Sequence, residues 1–187
     1  RRVGREVTST RRRRALSDEE KSQRRDQIIA AAKEVFARKG FHAATIADIA
    51  KQAGLAYGSV YWYFESKDEL FLALMAVEEA TLRAHIESAM TREIARQHLA
   101  GEALARAAVR ATFEFFEADK ATVKLLLRDA NSLGDRFEKQ IGEIYERCID
   151  DIEVFIVAAQ EHGEVIAAPS RMVAHTLAAL VGQLGQR

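Results

Sequence analysis

Apolar residues recur at three- and four-residue spacing through most of the chain, which predicts helices almost throughout. Ile28, Ala32, Val35 and Phe36 share one face of a helix predicted over residues 17–39, with Ser17 and Glu20 spaced as a capping box at its start. Ile46, Ile49 and Ala50, with polar Asp48, Lys51 and Gln52 between them, predict a short second helix. Thr45 is its N-cap and Asp48 the reciprocal acceptor three residues on. Gly54 must end that helix, because a sharp turn needs a residue that tolerates positive φ. A third short helix is predicted around residues 56–62. Ser66 and Glu69 form another capping box, opening a helix over 67–93 that carries Leu70, Leu74, Val77, Leu82 and Ile86. Further helices are predicted over 101–118 (Val109, Phe113, Phe116), 119–132 (Val123, Leu126, Leu127) and 135–162 (Phe137, Ile141, Ile144, Ile152, Phe155). Gly163 stops the last of these. Pro169 then sits in the first turn of an eighth, which runs through Val173, Leu177, Leu180 and Leu184.

Composition agrees with an all-α chain. Its 187 residues include a single Pro and ten Gly, and 48% of them are hydrophobic. No stretch approaches the roughly 20 uninterrupted apolar residues of a membrane helix. No secretory signal is visible. The lone Cys148 cannot form an internal disulfide and suits a reducing cytoplasm. The first residue is Arg1 rather than Met, so a processed or truncated chain is expected.

Residues 45–67 carry the most specific pattern. Ala50 must be small where a second helix crosses it, Gly54 makes the turn, and Val60 must be apolar to pack back on the first helix. These are the small, glycine and apolar positions of a helix-turn-helix, which places one helix in the major groove of DNA. The aromatic run Tyr61, Trp62, Tyr63 and Phe64 follows directly. With Gly40, Phe41, Thr45, Ile49, Ala50, Ala53, Gly54, Gly58, Ser59, Tyr61, Phe64, Ser66 and Lys67 in place, the chain resembles the TetR family of bacterial transcriptional repressors over roughly residues 27–76. The resemblance implies an N-terminal three-helix helix-turn-helix domain and a C-terminal helical bundle that binds a small molecule and forms a homodimer. It also implies a double-stranded DNA operator as partner. Tyr57 and Ser59 are expected to reach base edges, with Gly58 allowing close backbone approach beside Ala56. Thr45, Tyr61, Trp62, Tyr63 and Lys67 are expected at phosphates. Phe64 is expected in the core. Four positions depart from the family pattern. Ala56 stands for a usual Ser, so a helix N-cap or a phosphate contact is expected to be missing. Tyr57 stands where Lys or another base-touching residue is frequent, Trp62 for a frequent His, and Glu65 for a frequent Pro.

The zero net charge hides an asymmetry that fits this picture. Residues 1–67 carry 15 Lys and Arg against 8 Asp and Glu, and residues 68–187 carry 13 against 20. Seven of the basic residues precede Ser17, among them Arg11, Arg12, Arg13 and Arg14. Residues 1–16 are therefore expected to be a disordered basic arm that tracks phosphates or enters a minor groove. Residues 17–66 would form the DNA-binding domain and 67–187 the ligand-binding and dimerisation domain. Only one predicted helix follows Pro169, so a final helix is either absent or lies beyond Arg187.

For the effector, helices over 67–162 offer Phe113, Phe116, Leu127, Tyr145, Cys148 and Phe155 as walls, with Asn131, Arg128 and His85 as polar anchors. Their apolar character suits a hydrophobic or acyl-chain molecule. No cofactor or metal is expected, because the five His are scattered and pair with Cys148 at no metal-ligand spacing. Phosphate loops, dinucleotide fingerprints and hydrolase elbows are missing too, which argues against an enzyme. The alternative is a helical enzyme or adaptor that uses the hairpin for packing. It requires Tyr57 and Tyr61 to be buried.

Overall fold

The computed structural model describes the backbone of residues 3–95, 101–129 and 135–185, and within these the side chains from residue 18 onward except 136, 184 and 185. No strand occurs among the described residues. The helices are α1 (Val3–Lys39), α2 (Ile46–Gln52), α3 (Tyr57–Val60), α4 (Lys67–Ala95), α5 (Gly101–Ala118), α6 (Lys120–Asp129), α7 (Glu138–Glu161) and α8 (Ser170–Gly185). A 3-10 turn over Asp135–Phe137 leads into α7. Among the described residues no helix is long and apolar enough to cross a membrane.

Internal contacts divide the chain into two units, Arg1–Leu74 and Met75–Arg187, so the division falls inside α4 and beyond the boundary expected at residue 66. The reason lies in the packing. Leu70, Phe71 and Leu74 are fully buried with Ile28, Ala32, Val35, Phe36, Ile49, Val60 and Phe64. Phe71 meets Phe36 and Phe41 edge-on at centroid distances of 5.5 and 4.8 Å. A core this small needs the first turns of α4 to close it.

Two starts differ from the expected ones. Ser17 opens nothing, because α1 runs unbroken from Val3. Within the segment expected to be disordered, the backbone of residues 3–16 is thus helical. Arginine is a good helix former, and extending an existing helix costs little. The third helix is a single turn, followed by a turn in which Tyr63 and Phe64 both donate their backbone N–H groups to the Val60 carbonyl.

In the second unit α7 packs along α8. Arg171 of α8 bonds to Asp150 (2.5 Å), Glu153 (2.9 Å) and Glu146 of α7, and Ser170 Oγ donates to Glu153 at 2.7 Å. Gln160 Nε2 donates to the carbonyls of Ile166 and Ala168, pinning the connecting loop. Pro169 lies just before α8, and its carbonyl accepts the Val173 N–H.

Candidate nucleic-acid interface

The hairpin of α2 and α3 is held by backbone chemistry. Thr45 Oγ1 accepts the Asp48 N–H at 3.2 Å, and Asp48 Oδ2 accepts the Thr45 N–H at 3.1 Å, completing the capping box. At the other end of α2, Leu55 N donates to Ala50 O and Gly54 N to Lys51 O, a Schellman closure. Gly54 sits at φ +67, where a Cβ would be strained though it would meet no atom. Gln27 Nε2 donates to the Ala53 carbonyl at 2.7 Å and ties the turn to α1. Lys39 reaches Asp48 at 2.6 Å. That bond, aided by Thr45, lowers the Asp48 carboxyl to a pKa of about 2.

On this scaffold α3 turns outward. Tyr57 is 55% exposed, Tyr61 43% and Trp62 87%, while Val60 and Phe64 beneath them are buried. The Tyr57 and Tyr61 rings stack edge-to-face at 5.3 Å and their hydroxyls lie 2.8 Å apart. Tyr61 holds its proton more tightly than usual, chiefly through that hydrogen bond. The packing alternative required both tyrosines inside, and they are not. Ala56 and Gly58 are exposed and Ser59 is half-buried. Ala56 gives α3 no side-chain cap, as its departure from the family pattern implied. A Cβ at Gly58 would meet no atom within 4 Å, so packing inside the fold does not require a glycine there.

Two residues expected at phosphates are otherwise engaged. The Thr45 hydroxyl donates its one proton to Asp48 Oδ2 at 2.8 Å, leaving none for a phosphate oxygen. Lys67 Nζ donates to the carbonyls of Phe41 (2.7 Å), Ala44 (3.0 Å) and His42 (3.2 Å) and lies 4.5 Å over the Phe41 ring. Its three protons are thus committed to tying α4 to the loop after α1. Tyr63 is half-buried and borders a shallow polar cleft with Glu20, Lys21, Gln23, Arg24 and Gln27 of α1. Lys21 and Arg24 are basic neighbours of the aromatic run that sequence reasoning missed. The i, i+3 spacing of Arg24 and Gln27, which share a 2.8 Å hydrogen bond, was the available signal. Arg25, also missed, covers the Phe64 ring at 4.9 Å. The side chains of Arg11, Arg12, Arg13 and Arg14 lie outside the described residues.

The predicted effector residues gather less clearly. Phe116, Leu127, Cys148 and Phe155 are half-buried, while Phe113, Arg128 and Tyr145 are exposed and Asn131 lies outside the described residues. Arg128 is paired with the buried Asp129 at 2.6 Å. Burial, with the Glu79 and Asp151 carboxylates nearby, pushes the Cys148 thiol up to about 11, so it is protonated at neutral pH. The open hollow on α7, lined by Asp150, Glu153, Val154, Val157, Ala158 and Glu161, contains none of the predicted residues. Among the described residues, two buried polar atoms lack a hydrogen-bond partner: His85 Nε2, which lies 3.9 Å from the Glu114 carboxylate, and Thr122 Oγ1. Sequence reasoning named the first and missed the second, since a threonine on an amphipathic helix gives no signal of burial. Val109 and Phe113, apolar positions of the helix predicted over 101–118, are exposed on α5.

Comparison with known proteins points the same way. Residues 28–74 match the family model described as bacterial regulatory proteins, tetR family. The HTH-type transcriptional activator FasR of Mycolicibacterium smegmatis is 33% identical over 161 residues, covering 86% of this chain and 69% of that protein. The transcriptional regulator FadR from Bacillus subtilis, solved in complex with stearoyl-CoA, is 26% identical, with a TM-score of 0.69 over 86% of this chain and 84% of that one. The fatty acid degradation regulator FadR from Bacillus halodurans has a TM-score of 0.77 over 87% and 82% of the two chains, at 23% identity, a likeness of fold.

Proposed function

The chain belongs to the TetR family of bacterial regulatory proteins, and on that premise we propose a DNA-binding transcriptional regulator that reads an operator as a homodimer and answers to a long-chain acyl thioester. The observation that carries the DNA-reading part is the outward aromatic row of α3 above a sealed core. Tyr57 and Ser59 are assigned to base edges, with Gly58 and Ala56 leaving room for the groove wall. Trp62, Tyr63, Lys21 and Arg24 are assigned to phosphates, and the arm with Arg11, Arg12, Arg13 and Arg14 adds charge along the backbone. Thr45 and Lys67 hold the reading head in shape.

Dimerisation is supported by exposed apolar side chains on the paired helices α7 and α8: Val154, Val157, Met172, Leu177 and Leu180. A second copy covers them, and two reading heads then span two half-sites of a palindrome. The effector class is supported by the two relatives whose names concern fatty acids or a bound acyl-CoA. It is also supported by the buried Thr122 Oγ1 of the second unit, which has no hydrogen-bond partner among the described residues. The sequence implied repression, whereas the relative from Mycolicibacterium smegmatis is named an activator. Either outcome passes through one step, a change of operator occupancy, and that step is what the effector controls. A cytoplasmic, non-enzymatic protein is part of the same reading.

The test is fluorescence anisotropy of the purified chain on fragments of its source genome, with and without stearoyl-CoA. One fragment should bind at least about a thousandfold more tightly than random DNA, the low end for specific binders. Stearoyl-CoA should shift that affinity and leave random-DNA binding unchanged. Equal affinity for every fragment would sink the DNA-reading function; a preference that ignores acyl-CoA would sink only the effector.

A further inference from the structure

We propose that Tyr61 is a positioning residue: its hydroxyl holds that of Tyr57, so that the pair offers one outward hydrogen-bond donor to an acceptor on a major-groove base edge. The acceptors that fit are N7 or O6 of guanine, N7 of adenine and O4 of thymine. The inference rests on the reading that α3 faces base edges, and it replaces the expected role of Tyr61 as an independent phosphate contact.

The argument begins with proton accounting. Each phenol carries a single proton. At 2.8 Å the two hydroxyls share one hydrogen bond, which uses one proton and leaves one. Either hydroxyl can donate within the pair. Tyr57 is the more exposed of the two, so an acceptor arriving from outside meets its hydroxyl; the Tyr57 proton then turns outward and Tyr61 donates within the pair. A phosphate oxygen only accepts, so a Tyr61 whose proton is already spent has nothing to give it. A Tyr57 that accepts a hydrogen bond becomes a stronger donor in turn.

Geometry fixes where that donor points. The residues are one helical turn apart, their rings meet edge-to-face at 5.3 Å, and the turn beneath is anchored by buried Val60 and Phe64. An exposed tyrosine alone would sample several rotamers; the partner ring and hydroxyl restrict Tyr57 before DNA arrives. Gly58 between them adds no side chain that would crowd the approaching base.

The test compares the intact chain with Tyr57→Phe, Tyr61→Phe and the double variant, on the operator fragment the intact chain prefers and on random DNA. Tyr57→Phe should bind the operator about tenfold more weakly, in the range of one lost base contact. Tyr61→Phe should lose much of the same factor, and the double variant should be no weaker than Tyr57→Phe alone. Random-DNA affinity, the salt slope and the melting temperature should stay unchanged for all three. A base analogue lacking the acceptor atom at one operator position should weaken the intact chain and not Tyr57→Phe. Additive losses in the double variant, or a Tyr61→Phe loss equal on random DNA and with a shallower salt slope, would return Tyr61 to the phosphates and overturn the proposal. No loss from Tyr57→Phe would overturn it as well. An intact chain with no preferred fragment would instead strike at the DNA-reading function.

Discussion

In the unit that ends at Leu74, the large apolar side chains left exposed among the described residues are Tyr57, Tyr61 and Trp62; in the unit that begins at Met75 they include Val154, Val157, Ile166, Met172, Leu177 and Leu180. The first three all carry a hydroxyl or indole N–H at the tip. Those of the second unit are aliphatic or thioether apart from Phe113 and Tyr145. A polar-tipped aromatic suits a wet, hydrogen-bonding partner such as a nucleic-acid groove. An exposed aliphatic stripe suits another apolar surface, a second copy or an acyl chain. The two units thus differ in what they leave unfinished. The first has a complete core and an unfinished polar surface, and the second has an unfinished apolar one.

The comparison breaks most sharply at Phe36. It is fully buried among Phe41 and Phe71, so Phe36→Ala should cost about 3–5 kcal/mol and abolish DNA binding, read by thermal unfolding and anisotropy. A small loss would mean that the first core is as loose as the second. The double variant Leu177→Ser and Leu180→Ser should turn a dimer into a monomer in sedimentation while the melting of the first unit stays in place. A dimer that survives would move the interface away from α8. Thr45→Ala, which removes the cap of α2, should cost about 1 kcal/mol. The subtlest effect is in acid. The Asp48 carboxyl lies lower in the folded chain than its ordinary 3.8, at about 2, so its contribution is present above 3.8 and is lost as pH falls toward 2. Asp48→Asn should flatten that part of the stability profile, and an unchanged acid limb would mean that the Lys39 bond contributes nothing.

Much of the first unit was legible because its instructions are local. Thr45 and Asp48 are three residues apart, Gly54 sits where α2 must turn, and the spacing from Ala50 to Val60 sets how two helices cross. The start of α1 was not legible, because Ser17 and Glu20 match a capping box whether or not a helix already runs through them. The length of α3 was missed for a related reason: backbone bonds shape the turn after Val60, and a backbone carbonyl carries no residue-specific signal. In the second unit helix positions followed from periodicity, with α5 placed at its observed bounds. The side of each helix that would be buried did not. Phe113 and Val109 lie on an apolar stripe, and a stripe says only that something apolar covers it.

By itself the sequence determined the helices, the hairpin, the basic first third and the family, since each depends on residue type at short spacing. Only the tertiary structure decided which polar groups are still free to act. Lys67 was spent on three carbonyls more than twenty residues away, while the local bonds of the Thr45 hydroxyl to Asp48 and of Tyr57 to Tyr61 depend on rotamers that the surrounding packing selects. A hydrogen bond has one donor and a limited reach, so its allocation depends on which atoms the fold brings within about 3 Å, and a linear pattern carries no such distances.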